Sequence, residues 1–298
     1  MCRMLAYAGP PVLLDDLIVK PDSSLVHQVT HARMLAMLNL AGFGLAAWDD
    51  GMADPDQPLL YHSTDVAIFD PNLRALASKL RVRSLVAHLR GIPYDGHVAV
   101  NRQSLHPFRL PGSPLVMAHN GDLADFAAMR YDLVEHIQPA ILRAIPAMTD
   151  SAWLHALILS GLDDPAAPFT ADAIHRAIER ALTIVRQARE RHGIHRSSSV
   201  SLVLSDGRNL VGVRFTFDFG RFDAPPFQGG IDYLSLWYTY GARYGLSDGE
   251  WKMTGGPGPA TIIASEPLTR DVATWVEVPE YSALLVEGGK RRVVALDV

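Results

Sequence analysis

Met1-Cys2-Arg3-Met4-Leu5-Ala6-Tyr7-Ala8-Gly9 opens the chain and decides how the rest of it is read. Cys2 is the only cysteine among 298 residues. Its side chain is small enough to permit removal of Met1, which would make Cys2 the N-terminal residue. A thiol and a free α-amine would then share one residue. An α-amine has an unperturbed pKa of about 7.7–8, so part of it is neutral at pH 7 and accepts the thiol proton directly or through a water. Attacking group and general base in one residue make a self-activated nucleophile, as N-terminal threonine does. With Met1 attached, the Cys2 nitrogen is an amide and cannot be a base, so that form is expected to be inactive. The bland alternative is a small buried apolar residue at the start of a strand. Residues 2–8 read as a short buried strand ended by Gly9-Pro10-Pro11.

Composition narrows the classes around that start. With 48% apolar residues, the chain can bury a large core as one domain, expected over residues 2–298. Lys and Arg number 27 against 32 Asp and Glu, a net charge of −5. There is no basic patch of the kind nucleic acid needs and no polybasic stretch for a membrane surface. A lone cysteine forms no internal disulfide, which fits a reducing compartment. Pro10, Pro11, Asp15 and Asp16 interrupt the apolar run after Cys2, against a signal peptide or a membrane span. The expected location is the cytoplasm.

Along the chain, Asp15–Val19 reads as a helical turn and residues 25–38 as a helix. His27 and His31 stand four apart, a metal-ligand spacing on a helix face, but no third ligand follows, so no metal and no cofactor is expected. Gly42 to Asp49 reads as a glycine turn feeding a strand, closed into a hairpin by Asp49-Asp50-Gly51. Residues 71–80 read as a short helix with Pro71 in its first turn. Ser84 to Arg90 is an apolar strand ending on a cation; a solvated strand end is the plain reading of Arg90. Leu105 to Phe108 reads as irregular. Asp122 to Ile137 and the segment from Thr149-Asp150-Ser151 onward read as helices, with Thr149 or Asp150 as N-cap. Residues 170–192 form a long amphipathic helix capped by Thr170 and stopped by Gly193. Residues 198–204 and 209–217 form a hairpin, 231–240 and 260–264 are strands, and a hairpin over 282–296 closes the chain. Segments 218–230 and 247–259 read as loops. Strands, then helices, then strands indicate layered α+β architecture with antiparallel sheets rather than repeated βαβ units.

Pro114 to Asp122 carries the second chemical signal: an apolar strand running into Asn120-Gly121. Asn-Gly is a common turn dipeptide. It also supplies a side-chain amide and a backbone N–H able to converge on one oxygen, as an oxyanion hole requires. A γ-glutamyl compound offers an α-carboxylate, an α-amine and a side-chain carbonyl. Arg90 suits the carboxylate through its two-pronged guanidinium. Asp150 suits the amine, Cys2 the carbonyl carbon, and Asn120 with Gly121 the oxyanion.

Met-Cys-Arg-Met-Leu-Ala-Tyr, Ala87-His88-Leu89-Arg90, His106-Pro107-Phe108, His119-Asn120-Gly121 and Thr149-Asp150-Ser151, in this order, resemble the class II glutamine amidotransferases, which are N-terminal-nucleophile hydrolases. Ile263-Ala264-Ser265-Glu266-Pro267-Leu268, with Trp275 and Val278-Pro279, resembles the stand-alone branch that includes the γ-glutamyl hydrolases of ergothioneine synthesis and glutathione breakdown. The resemblance implies a four-layer α/β/β/α sandwich of two antiparallel sheets. It implies Cys2 as nucleophile, Asn120 and Gly121 as oxyanion hole, and Arg90 and Asp150 as receivers of the glutamyl α-carboxylate and α-amine. The chain departs from the family pattern at Ala41, Gly91-Ile92-Pro93-Tyr94, Ser104 and Ala152. The expected reaction is hydrolysis of a γ-glutamyl amide bond through a Cys2 thioester, giving glutamate and ammonia or an amine. Ammonia would be passed to a separate synthase; a separate peptidase subunit is the other partner the resemblance allows. The alternative is a catalytically weakened, glutamyl-binding regulatory subunit.

Overall fold

Strands rich in small, β-branched and aromatic residues pair into two large antiparallel sheets and one hairpin in the computed structural model, which describes residues 2–34, 38–92, 100–218 and 235–298. In chain order they begin with β1 (Arg3–Leu13), β2 (Phe43–Trp48), β3 (Leu59–Ser63), β4 (Arg81–Leu89), β5 (Phe108–Arg109) and β6 (Val116–Gly121). β7 (Ser198–Ser205), β8 (Leu210–Phe217), β9 (Trp237–Gly241), β10 (Arg243–Ser247) and β11 (Glu250–Thr254) follow. The last are β12 (Ala260–Ala264), β13 (Val276–Glu277), β14 (Ser282–Glu287) and β15 (Lys290–Ala295). The first sheet runs β13-β9-β12-β1-β4-β2-β3 and the second β15-β14-β8-β7-β6-β5; β10 and β11 pair apart. The helices are α1 (Leu14–Ile18), α2 (Pro71–Ala77), α3 (Phe126–Met129), α4 (Pro139–Ala144), α5 (Asp150–Ser160) and α6 (Ala171–Arg191).

Because successive strand residues point to opposite faces, each central strand feeds two cores. Leu5 and Tyr7 of β1, with Leu85 and Ala87 of β4, pack under Leu14, Leu17 and Leu73 of α1 and α2. Met4, Ala6 and Val86 turn the other way, onto Val116, Ala118, Val203 and Leu284 of the second sheet. Leu115, Met117, Leu202 and Leu204 pack under Leu154, Leu157, Ile178 and Val185 of α5 and α6. The result is the expected α/β/β/α layering. Thr170 caps α6 by accepting from Ala173 N, and Gly193 leaves the helix at φ +61°. No helix among the described residues is long and apolar enough to cross a membrane.

Several local expectations need correction. β1 does not end at Gly9-Pro10-Pro11 but resumes its pairing with β4 at Val12, after a register shift. The prolines fall in that irregularity, where no ladder donor is required. The helix over 25–38 is only a 3-10 turn, His27–Val29, with residues 35–37 outside the described chain. A helix would give the Val29 carbonyl to Arg33 N–H. Instead Val29 O accepts from Asn39 N at 2.8 Å, and Arg33 N donates to Glu266. The helix over 122–137 reduces to α3 and a 3-10 stretch, Arg130–His136. The N–H groups of Asp122, Leu123 and Ala124 are taken by Ser199, Asp150 and Ser198, and Asp125 sits at φ +53°. Within 247–259, Asp248-Gly249 is a two-residue turn between β10 and β11, both residues at positive φ. The β2–β3 connection runs well past Gly51 before β3 begins. Met1, residues 93–94 and most of 218–234 lie outside the described residues.

Candidate active site

The same alternation that sorts the core places the chemistry. On β1 and β4, Met4, Ala6 and Val86 face the space between the sheets, so Cys2, His88 and Arg90 share that face by parity. Pairing of Arg3 with Leu89 sets Cys2 beside the end of β4, and Cys2 Sγ lies 3.7 Å from Gly91 O. On β6, Val116 and Ala118 face the same space from the other sheet, and Asn120 continues their row. The two rows meet where Cys2 N donates to Asn120 Oδ1 at 2.9 Å. His119, one residue out of phase, points toward α5, where its Nδ1 stands 2.8 Å from Ser151 Oγ.

With Oδ1 occupied by Cys2 N, Asn120 Nδ2 is buried and has no partner among the described residues. A buried donor without an acceptor costs about 1–3 kcal/mol. Asp122 N donates to Ser199 O, which marks that pair as hydrogen-bonded. Hydrogen-bonded and non-hydrogen-bonded pairs alternate along an antiparallel ladder. Gly121, opposite Val200, therefore turns its N–H away from β7, to a side where β5 covers only Val116 and Met117. A Cβ at Gly121 would lie 1.8 Å from Ser199 O, at φ +156°. Only glycine fits there.

Asp150 reaches the site from the first turn of α5, where the helix dipole favours a carboxylate. Its Oδ2 accepts from Leu123 N at 2.8 Å and its Oδ1 from Ser151 N at 2.7 Å. Thr149, not Asp150, caps the helix side-chain to backbone, accepting from Ala152 N at 3.3 Å. Arg90 donates from Nη1 to Ser104 Oγ. Burial pushes its guanidinium down, and the Cys2 and Asp150 charges push it back up, so the three groups share one electrostatic neighbourhood. Asp122 stays open to solvent although protein closes round it; desolvation first, then Asp150, raises its carboxyl.

Histidines line the floor as neutral groups. Burial pushes His88 down to about 3, and His106 falls well below its usual range for the same reason. Their rings lie 4.3 Å apart. His88 Nε2 is 3.2 Å from His119 O, where the imidazole N–H donates to the carbonyl and links the two sheets beside Asn120. The site's positive charge thus belongs to arginines. The rings of His27 and His31 stack with centroids 4.9 Å apart, and no group of three or more metal-ligating side chains occurs among the described residues.

All five residues singled out from the sequence come to one end of the sandwich: Cys2 and Arg90 from the first sheet, Asn120 and Gly121 from the second, Asp150 from the helix above it. Of the departures from the family pattern, Ala41 N donates to Arg90 O at 3.1 Å, and Ser104 is the partner of Arg90. Sequence reasoning gave no role to Ser104, Arg3 or Glu266. The last lies in the Ser265-Glu266-Pro267 signature, which was a signal without an assigned contact.

A sequence profile described as glutamine amidotransferases class-II matches residues 41–219. A protein of Saccharomyces cerevisiae, named "Probable glutamine amidotransferase DUG3", is 27% identical over 307 residues, covering 96% of this chain and 82% of that one. Among solved structures, a glutamine aminotransferase class-II domain protein of Silicibacter pomeroyi superimposes with a TM-score of 0.62 at 22% identity, over 99% of each chain. The Bacillus subtilis glutamine phosphoribosylpyrophosphate amidotransferase does so with a TM-score of 0.57 at 14% identity, over the whole of this chain and 50% of that one. At these identities the structural likeness speaks to the fold.

Proposed function

This chain belongs to the class-II glutamine amidotransferases, a family of enzymes, and on that premise we propose that it hydrolyses the γ-amide bond of glutamine or a γ-glutamyl compound with Cys2 as nucleophile. The observation that carries the reading is the junction of the sheets, where Cys2 N meets Asn120 Oδ1 and the amide's other end is buried without a partner among the described residues. Once Met1 is removed, that nitrogen is an α-amine. The amine takes the thiol proton as Sγ attacks the γ-carbonyl carbon. The oxygen gains charge and is received by Asn120 Nδ2 and Gly121 N–H, two neutral donors held by rigid backbone. Collapse returns the proton to the leaving nitrogen and gives a γ-glutamyl thioester. Water, deprotonated by the same amine, adds to the thioester and releases glutamate and the Cys2 thiol. Arg90 holds the substrate α-carboxylate, its guanidinium directed by Ser104. Asp150, with one N–H on each oxygen, keeps lone pairs for the α-ammonium. Where the leaving group is ammonia, a separate synthase is the partner that would use it.

The test is intact mass of the purified protein, with and without a glutamine-derived diazoketone. Loss of Met1 and one adduct on Cys2, blocked by glutamate, are expected together with amide hydrolysis. Retained Met1, no adduct and no hydrolysis would overturn the reading in favour of a glutamyl-binding subunit.

A further inference from the structure

We infer that Arg3 and Glu266 form a positioning pair for the nucleophile, holding the Cys2 carbonyl so that thiol and amine keep their orientation. The inference rests on the reading of Cys2 given above. Chain ends fray unless tied down, and Cys2 precedes the first ladder pair of β1, Arg3 with Leu89. As the terminal residue it has three polar groups, and each meets one partner. The nitrogen meets Asn120 and the sulfur Gly91. The carbonyl accepts from Arg3 Nη1 at 3.2 Å.

Arg3 and Glu266 are both buried, at 2% and 1% exposure. Arg3 Nη2 lies 4.0 Å from Glu266 Oε2. Glu266 is itself fixed: Oε1 and Oε2 accept from Arg33 N at 3.1 and 3.2 Å, and Oε2 from Met34 N at 3.0 Å. The residue before it is locked to β1, since Ser265 N donates to Met4 O at 3.0 Å and Met4 N to Ser265 Oγ at 2.9 Å. The anchor for the guanidinium therefore cannot drift relative to the strand that carries Cys2. A buried ion pair this long is a poor source of stability, since apolar residues of similar volume often do as well. Orientation of the first residue is what this one supplies. Arg3 belongs to the outward row of β1, with Leu5 and Tyr7, so it acts through the Cys2 carbonyl and not on the substrate.

Misplacing a reacting group by about 1 Å costs about 10²-fold in rate. Arg3→Met, Arg3→Lys and Glu266→Gln are compared with the wild-type chain for hydrolysis of L-glutamine and γ-glutamyl-p-nitroanilide. Glutamate affinity and thermal melting are measured alongside. For Arg3→Met the expected result is a fall of 30- to 100-fold in kcat with KM and glutamate affinity within twofold. Arg3→Lys, which keeps a donor for the carbonyl, should recover part of the loss. Glu266→Gln should fall about tenfold. A kcat within threefold of wild type in a folded Arg3→Lys and Glu266→Gln overturns the inference, as does a parallel loss of glutamate affinity and melting temperature, which would mark a purely structural pair. If Arg3→Met fails to fold, these two variants decide. Absence of hydrolysis and of Cys2 alkylation in the wild-type chain would instead refute the nucleophile itself.

Discussion

Replacing Asn120 by Leu separates catalysis from stability at one side chain. The Asn120 amide makes one hydrogen bond through Oδ1, to Cys2 N, and leaves Nδ2 buried without a partner among the described residues. Losing the bond costs about 1 kcal/mol, and removing the orphaned donor returns about 1–3 kcal/mol. The net effect on folding is therefore between nil and about 2 kcal/mol of stabilisation. The transition state loses a neutral oxyanion donor, worth about 10²–10³ in kcat, or about 3–4 kcal/mol. Glutamate release at saturating glutamine gives kcat, and denaturant unfolding gives stability. Asn120→Asp is the companion, since it keeps an acceptor for Cys2 N and deletes the donor. The expected outcome is kcat down by at least 10² in both variants, with Asn120→Leu unfolding at or above the wild-type midpoint. Two results would refute the reasoning: Asn120→Asp within tenfold of wild-type kcat, or Asn120→Leu destabilised by more than about 2 kcal/mol.

Ser104→Ala removes the acceptor that directs Arg90 and should raise KM for γ-glutamyl substrates about five- to tenfold at unchanged kcat, the equivalent of about one hydrogen bond. The same variant should behave as wild type toward an analogue without the α-carboxylate; an equal penalty on both substrates would unseat Arg90 as the carboxylate site. Asp150→Asn keeps one acceptor oxygen, for either Leu123 N or Ser151 N, and loses the other together with the charge, so KM should rise about 10- to 100-fold for L-glutamine and hardly at all for its desamino analogue. Burial holds His88 and His155 at about 3, against 6.5 when unfolded. The unfolded chain binds these protons first, so their contribution is complete above about pH 7 and is lost as pH falls from 6.5 toward 3. Each costs about 1.4 kcal/mol per pH unit within that window. Urea unfolding at pH 7, 6 and 5 should show that slope, and His155→Leu should reduce it by one histidine's share; an unchanged slope would show that His155 is not held neutral.

How much of this was legible depended on how local the signal was. α5 and α6 could be read because their caps, Thr149 and Thr170, and their apolar spacing are short-range features. The strand ending at Arg90 and the strand running into Asn120-Gly121 were visible as apolar runs. The helix expected over 25–38 failed because Asn39 N, just past its end, takes the Val29 carbonyl and the Glu266 carboxylate, far along the chain, takes the Arg33 N–H. The Asp248-Gly249 turn was a local signal that went unread. Arg3 reads as an ordinary strand residue until Glu266, far along the chain, is seen beside it.

The sequence by itself determined the chemistry on offer: one thiol at a removable start, one Asn-Gly after an apolar strand, one cation and one carboxylate at element ends. It also determined which side chains of each strand share a face, because alternation is a property of the chain. Which strands lie side by side, and in what register, was decided only by the tertiary structure. Pairing of β1 with β4 at Arg3 and Leu89, and stacking of β1 on β6 across Met4, Ala6, Val116 and Ala118, bring Cys2, Arg90 and Asn120 together. A shift of one residue in either would turn Cys2 or Asn120 to the opposite face. Register is fixed by burial summed over whole sheets, and no single stretch of sequence carries that sum.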